Sequence, residues 1–241
     1  MRPVSKLSPG QHTATDGSII EIKSSYSNYR DAKPALVFNL GSFCSYCEES
    51  YHQERDLHVE HIQPKSIEEY KPLENEWSNF LLSCATCNGT DNKGAQDVVL
   101  EEIHLPHLNN TFKSLVYMAG GVVEVNPNLN ELAKRHAENL LNLIGLNKTA
   151  KTSCPGDKRW MKRMTDWNLA IRHKNKGTDT NTIIDLVKAR GGWSIWFTVF
   201  KGHDEVRKAL IDEFPGTAAQ CFDANNHYEP IDRNPGFVDP T

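Results

Sequence analysis

Two identical cysteine pairs constrain this chain more than any other feature of its sequence. Cys44 and Cys47, then Cys84 and Cys87, stand in the spacing C-x2-C-x36-C-x2-C. Two such knuckles bring four thiolates to one point, the closed tetrahedral donor set that suits structural Zn²⁺. Buried thiols serving only as small hydrophobes have no need of the same spacing twice. A redox pair calls for a surrounding βαβ pattern, which is missing here. With every coordination position filled by protein, the metal keeps no open site for chemistry, and its binding energy is folding energy. Cys154 and Cys221 stand alone and read as buried thiols.

Length and composition bound the remainder. A chain of 241 residues suits one substantial domain, or a small module with a larger companion. Its 38% hydrophobic and 24% charged residues are ordinary for a globular protein, and no apolar run approaches the roughly 20 residues that span a bilayer. No membrane association is expected. The opening MRPVSKLSPG has no apolar signal region, which with the paired thiols predicts a cytoplasmic location. The net charge of −4 gives no global argument for nucleic acid, but its distribution is uneven. Residues 44–94 hold four Lys/Arg against ten Asp/Glu, a local −6, whereas residues 148–176 hold nine against two, a local +7.

The pattern along the chain divides it into four stretches. Residues 1–39 are a polar, turn-rich lead-in whose end, around Ala35, Leu36, Val37 and Leu40, suits a short helix or strand. Residues 40–95 form the metal-organised module, with a strand at LHVEHI and the run WSNFLLSCATCNG leading into the second knuckle. Residues 96–128 are irregular until FKSLVYM and VVEVNP, which flank Ala119-Gly120-Gly121 as a hairpin. Residues 129–241 are mostly helical. Asn130 caps a helix with apolar Leu132, Ala133, His136, Leu140 and Ile144 before a stop at Gly145. A second helix over 157–173 has Trp160, Met161, Met164, Trp167 and Ile171 as its apolar stripe and its cations elsewhere, and further helices are predicted over 181–190 and 204–214.

The 36 residues between the knuckles exceed the loop of a plain zinc ribbon, and they contain His58-Val59-Glu60-His61-Ile62-Gln63-Pro64. A carboxylate beside an imidazole offers a hard oxygen ligand next to a neutral base. That is equipment for metal-assisted hydrolysis, in which the imidazole takes a proton from water and a divalent cation neutralises charge on a phosphate. Strand alternation, however, places Glu60 and His61 on opposite faces, so a twisted strand end or a metal between strand and helix is needed to reconcile them.

HVEHIQP, WSNFLLSC and CATCN followed by Lys93-Gly94, in that order and threaded through two knuckles, resemble the HNH endonucleases, the His-Me finger or ββα-metal nucleases, in their four-cysteine form. The resemblance implies an α+β fold: a zinc-organised ββα-metal module with a mostly helical C-terminal region. It implies that His61 is the general base, that Glu60 and Asn88 hold a catalytic Mg²⁺ (Mn²⁺ serving as well), and that Asn79 braces the catalytic loop. The gap from Asn88 to Lys93 is longer than is usual in the family, which leaves Asn92 and Asp91 as rival ligands. Outside the module, MRPVSK, LIGLN, DKRWMKRMTDWNLA and WSIWFTVF followed by DEFPGTAAQCFD are similar to bacterial HNH proteins encoded with an ATPase in anti-phage systems of the Septu and retron type. This implies DNA as substrate and an ATPase partner. The rival readings are a zinc-scaffolded nucleic-acid-binding or adaptor module without catalysis, and an RNA or tRNA nuclease using the same machinery.

Lys93, Lys158, Arg159, Lys162 and Arg163 are the expected nucleic-acid contacts, the last four because a helix this basic suits phosphate or an acidic partner. His58 reads as a structural histidine, His104 and His107 as loop residues, and Trp160, Trp167, Trp193 and Trp196 as core rather than base-stacking platforms.

Overall fold

The computed structural model describes residues 1–149, 151–152 and 156–233. It begins with a hairpin, β1 (Gly10–Thr13) and β2 (Ile19–Ile22), in antiparallel register with Gly10 opposite Ile22. Sequence pattern misses this hairpin because Ile22 is its one fully buried residue, so there is no alternation to detect. Helix α1 (Lys33–Leu40) follows, with Pro34 in the first turn, where a missing N–H costs nothing. It buries Ala35, Leu36 and Leu40.

Strands β3 (Leu57–His61) and β4 (Phe80–Cys84) pair antiparallel, with Leu57 opposite Cys84 and His61 opposite Phe80. Every residue of β4 is buried, and α1 packs on it. Helix α2 (Ala85–Asn88) starts at once, because the Cys84 thiol caps it by accepting from the Cys87 N–H at 3.4 Å. The ββα unit and the second knuckle are thus one local structure.

After α3 (Thr111–Ser114), strands β5 (Leu115–Met118) and β6 (Val122–Val125) make the expected hairpin, Met118 opposite Val122. Gly121, at φ 76°, is required there: a Cβ would lie 2.2 Å from the Trp160 carbonyl oxygen. Helix α4 (Glu131–Ile144) is capped as expected, Asn130 Oδ1 accepting from the Ala133 N–H at 2.9 Å and Gly145 closing it at φ 60°. Its buried face is Ala133, Ala137, Leu140, Leu141 and Ile144, while Leu132 is exposed.

Helix α5 (Arg159–Lys176) corrects the sequence reading. It buries Arg159, Arg163, Asp166 and Ala170, and leaves Met161 and Ile171 of the expected apolar stripe exposed. The reason is hydrogen bonding. Arg159 donates to the carbonyls of Ile144 (2.8 Å) and Gly145 (3.2 Å), and Arg163 to those of Gly121 (2.9 Å) and Leu146 (2.8 Å). These carbonyls lie at the end of α4 and in the hairpin turn, where helix and ladder leave acceptors unpaired.

Helices α6 (Thr180–Arg190), α7 (Trp193–Val199) and α8 (Asp204–Asp212) complete the helical region, and a short pair, β7 (Phe222–Asp223) and β8 (Glu229–Pro230), follows. Helix α7 is nearly all interior. Trp193 stacks on Phe197 at 4.5 Å and Trp196 is fully buried, so both are core; Trp160 and Trp167 are partly buried. Cys221 is buried, and Cys154 lies outside the described residues.

One hydrophobic cluster runs through all four stretches, including Val4, Leu36, Leu82, Val123, Leu140, Trp196 and Phe222. Polar ties cross it as well. Glu48, just after the first knuckle and at φ 64°, accepts from the Arg2 N–H and from Ser194 N (2.8 Å) and Oγ (2.6 Å) at the start of α7. The lead-in and the helical region therefore hold the knuckle from both sides. Among the described residues, no helix is long and apolar enough to cross a membrane.

Candidate active site

The four knuckle thiols are buried, and their sulfur atoms lie within 4.8 Å of one another. Cys47 and Cys84 are 3.7 Å apart, close to the roughly 3.8 Å edge of a tetrahedron with Zn–S bonds of about 2.3 Å. Positive groups converge on them: the Cys84 N–H points at Cys44 Sγ (3.4 Å) and Arg159 Nη1 at Cys87 Sγ (3.1 Å). Such donors stabilise thiolate, and the set fits Zn²⁺. Among the described residues it is the one cluster of three or more metal-donor side chains, so His104 and His107 form no second site. His104 is buried, with Nδ1 on Ser114 Oγ at 2.8 Å.

His61 ends β3, half-buried. Its ring is clamped edge-on by Tyr29 at 4.7 Å and Phe80 at 5.4 Å. Nε2 lies 2.8 Å from the Glu74 carbonyl oxygen, which can only accept, so Nε2 carries the proton and Nδ1 keeps its lone pair. Burial holds the imidazole below its usual value of 6.5, with the Glu74 carbonyl opposing and the Lys65 and Lys93 charges assisting. The ring is a neutral, oriented base at neutral pH.

Asn79 is buried below the loop that follows His61. It accepts from Gln63 N (2.8 Å) and donates to the carbonyls of Gln63 (3.0 Å) and Leu73 (3.3 Å), while its own carbonyl takes the Ile62 N–H (2.9 Å). Each of these bonds ties the loop down, as a brace does.

Glu60, the residue before His61, is fully buried. Its Oε1 is 2.7 Å from Lys93 Nζ, which also donates to the His61 carbonyl at 2.7 Å, and Tyr46 OH lies at 3.5 Å. Burial pushes the carboxyl up against the pull of Lys93. Oε2 is buried with no hydrogen-bond partner, the kind of orphaned anionic oxygen that a cation satisfies. Asn88 lines the same cleft as His61. Its rival Asn92 is buried elsewhere, donating to Thr86 O (2.7 Å) and accepting from Lys148 Nζ (2.8 Å). The orphaned Glu60 oxygen is a hard donor of the kind a divalent cation takes, as is the Asn88 carboxamide, but Glu60 is not among the residues that line the His61 cleft.

Residues 44–94, 51 of the 241, match the model of the HNH family, HNH endonuclease. This segment is an HNH endonuclease domain. No curated protein matches the chain. The HNH domain spans both knuckles, β3, β4 and α2, and ends at Gly94.

Three of the expected nucleic-acid contacts are corrected by burial. Lys93, at the wall of the His61 cleft, is 1% exposed and paired with Glu60. Arg159 and Arg163 are 5% and 6% exposed, facing the second cysteine knuckle and the hairpin. Lys162 pairs with Asp166 at 2.6 Å, and Lys158 is exposed. Local charge counting could not separate cations aimed at solvent from cations spent on internal carbonyls.

The cleft over His61 has a volume of about 510 Å³. His58, exposed on β3, lines it, and so do the cations Arg30, Lys33, Arg55, Lys65 and Lys93, with no carboxylate in the wall. Tyr29, Arg30, Lys33 and Arg55 were not singled out from the sequence. Arg55 lies within a window whose net charge is negative, and the other three precede the HNH domain.

Proposed function

We propose that the HNH domain hydrolyses DNA phosphodiester bonds with Mg²⁺ held by Glu60 and Asn88. The observation that carries this reading is the state of His61: Nε2 is committed to a carbonyl, leaving Nδ1 as a free base in a cleft walled by cations. His61 takes a proton from water at Nδ1, and the hydroxide attacks phosphorus while the 3′ oxygen departs, giving 5′-phosphate ends. The Glu74 carbonyl keeps the ring aimed, and Asn79 keeps the loop beneath it in place. Mg²⁺, when bound, neutralises charge on the phosphate and the leaving oxygen. The zinc knuckles are scaffold. By the likeness of the outer motifs, the chain acts in the cytoplasm as the nuclease effector of an anti-phage system, with an ATPase partner that meets the helical region, 129–241.

Purified protein incubated with supercoiled plasmid and Mg²⁺, alone and with such a partner, is expected to give nicked and linear products that EDTA prevents. Binding with no cleavage of DNA or RNA under any of these conditions would support the adaptor reading instead. Asn88→Ala is expected to raise the Mg²⁺ concentration for half-maximal cleavage, whereas Asn92→Ala retains the wild-type requirement. The reverse result moves the ligand to Asn92.

The pH dependence follows from His61. Protonation removes the base, so cleavage falls as pH drops through the imidazole pKa, which burial holds below the usual 6.5. The acid limb of a pH–rate profile at saturating Mg²⁺ is expected to have its midpoint below that value. A midpoint above it would show that another group supplies the base.

A further inference from the structure

We infer that the substrate's phosphate backbone is gripped by the segment before the HNH domain, through Arg30 and Lys33, and not by the basic helix α5. The inference rests on the nuclease reading and adds the surface that holds the nucleic acid against His61.

The first argument is pairing. Of the cations in the cleft wall, Lys93 is tied to Glu60 and Lys65 to Glu74 at 2.9 Å, and Arg55 has its neighbour Asp56 at 3.8 Å. Arg30 and Lys33 have no ion pair among the described residues. A phosphate meeting them displaces counterions and breaks no internal bridge, which is the source of backbone affinity.

The second argument is placement. Arg30 and Lys33 stand one turn apart, in and just after a 3₁₀ turn (Tyr29–Ala32) that Asn28 caps by accepting from the Arg30 N–H at 3.1 Å. Lys33 is the first residue of α1, whose Leu36 and Leu40 are buried beside β4. Tyr29, next in sequence, packs its ring on His61 and has Lys65 Nζ 4.2 Å above its face. The cations are thus fixed relative to the base rather than carried on a loose arm. An unpaired pair, Arg30 exposed and Lys33 half-buried, beside an oriented imidazole is placed to hold a polyanion's backbone across the scissile bond.

The third argument is what the alternative lacks. In α5, Arg159 and Arg163 face inward, and Lys174 donates to the Val199 carbonyl at 2.7 Å. None of the α5 residues lines the His61 cleft.

The test uses the full zinc-loaded chain carrying His61→Ala, so that the probe survives, and follows a short fluorescein-labelled DNA duplex by anisotropy across a salt series. Arg30→Gln with Lys33→Gln is expected to weaken binding and to flatten the slope of log affinity against log salt by about 0.9 for each phosphate no longer neutralised, or roughly 1.8 for both. Lys158→Gln with Lys162→Gln is expected to leave the slope unchanged. Zinc content and circular dichroism check the fold. If the double variant loses zinc, Arg30→Glu alone, at an exposed position, decides through the same slope. An unchanged slope in the Arg30 variants, or a slope that falls only in the α5 variant, overturns the grip while plasmid cleavage by wild type leaves the nuclease reading standing. A wild-type chain that neither binds nor cuts DNA overturns both.

Discussion

His61→Ala is expected to lower plasmid cleavage by roughly 10²- to 10⁴-fold, the usual cost of removing a general base, with zinc content and fold unchanged. The imidazole is half-buried and its one hydrogen bond is to the Glu74 carbonyl, so its loss costs stability about 1 kcal/mol. The scaffold does not depend on it: β4 is buried along its whole length, Asn79 braces the loop independently, and the four thiols lie at the opposite end of the strand pair. Initial rates at saturating Mg²⁺, with elemental analysis for zinc and circular dichroism on the same preparation, separate chemistry from folding. A variant that keeps more than about a tenth of the wild-type rate removes His61 from the role of base.

Cys84→Ser is expected to lose the metal and unfold the HNH domain. Structural zinc sites of this kind contribute about 10–16 kcal/mol of apparent binding energy, as much as the whole stability of about 5–15 kcal/mol that most domains have. The damage is not confined to the knuckle. Cys84 also caps α2, and Arg159, which leans on Cys87, ties the knuckle to the carbonyls at the end of α4. Loss of zinc should therefore loosen the hold of the α5 arginines on the carbonyls at the end of α4 as well. Elemental analysis of wild type is expected to find one Zn²⁺ per chain that survives dialysis against Mg²⁺. Limited proteolysis of the variant should cut within residues 44–94 first. A folded, active protein without zinc would remove the structural site.

Much of the site was legible because it is local. Two CxxC pairs of equal spacing predict the four-cysteine cluster, and Asn130 and Gly145 mark the ends of α4 by the caps a helix needs. At the end of β3 the two neighbours take different partners, Glu60 on Lys93 and His61 under Tyr29. Periodicity failed where polar groups had a buried use. In α5 the inward face carries two arginines because carbonyls from the end of α4 and from the hairpin turn await donors there, and an aspartate that accepts from Lys162 and Arg190; a hydrophobic pattern cannot register that demand.

By itself, then, the sequence determined the cysteine knuckles, the strand-borne imidazole and the ββα order, since each depends on residue types a few positions apart. Only the tertiary structure decided which cations line the His61 cleft. Charge along a chain is a sum, whereas a cleft's potential depends on which side chains are left unpaired and on where they point. Arg30 and Lys33, in the polar lead-in and apart from any dense basic run, stand on the wall of the His61 cleft, while Arg159 and Arg163 of the +7 segment are spent inside the protein.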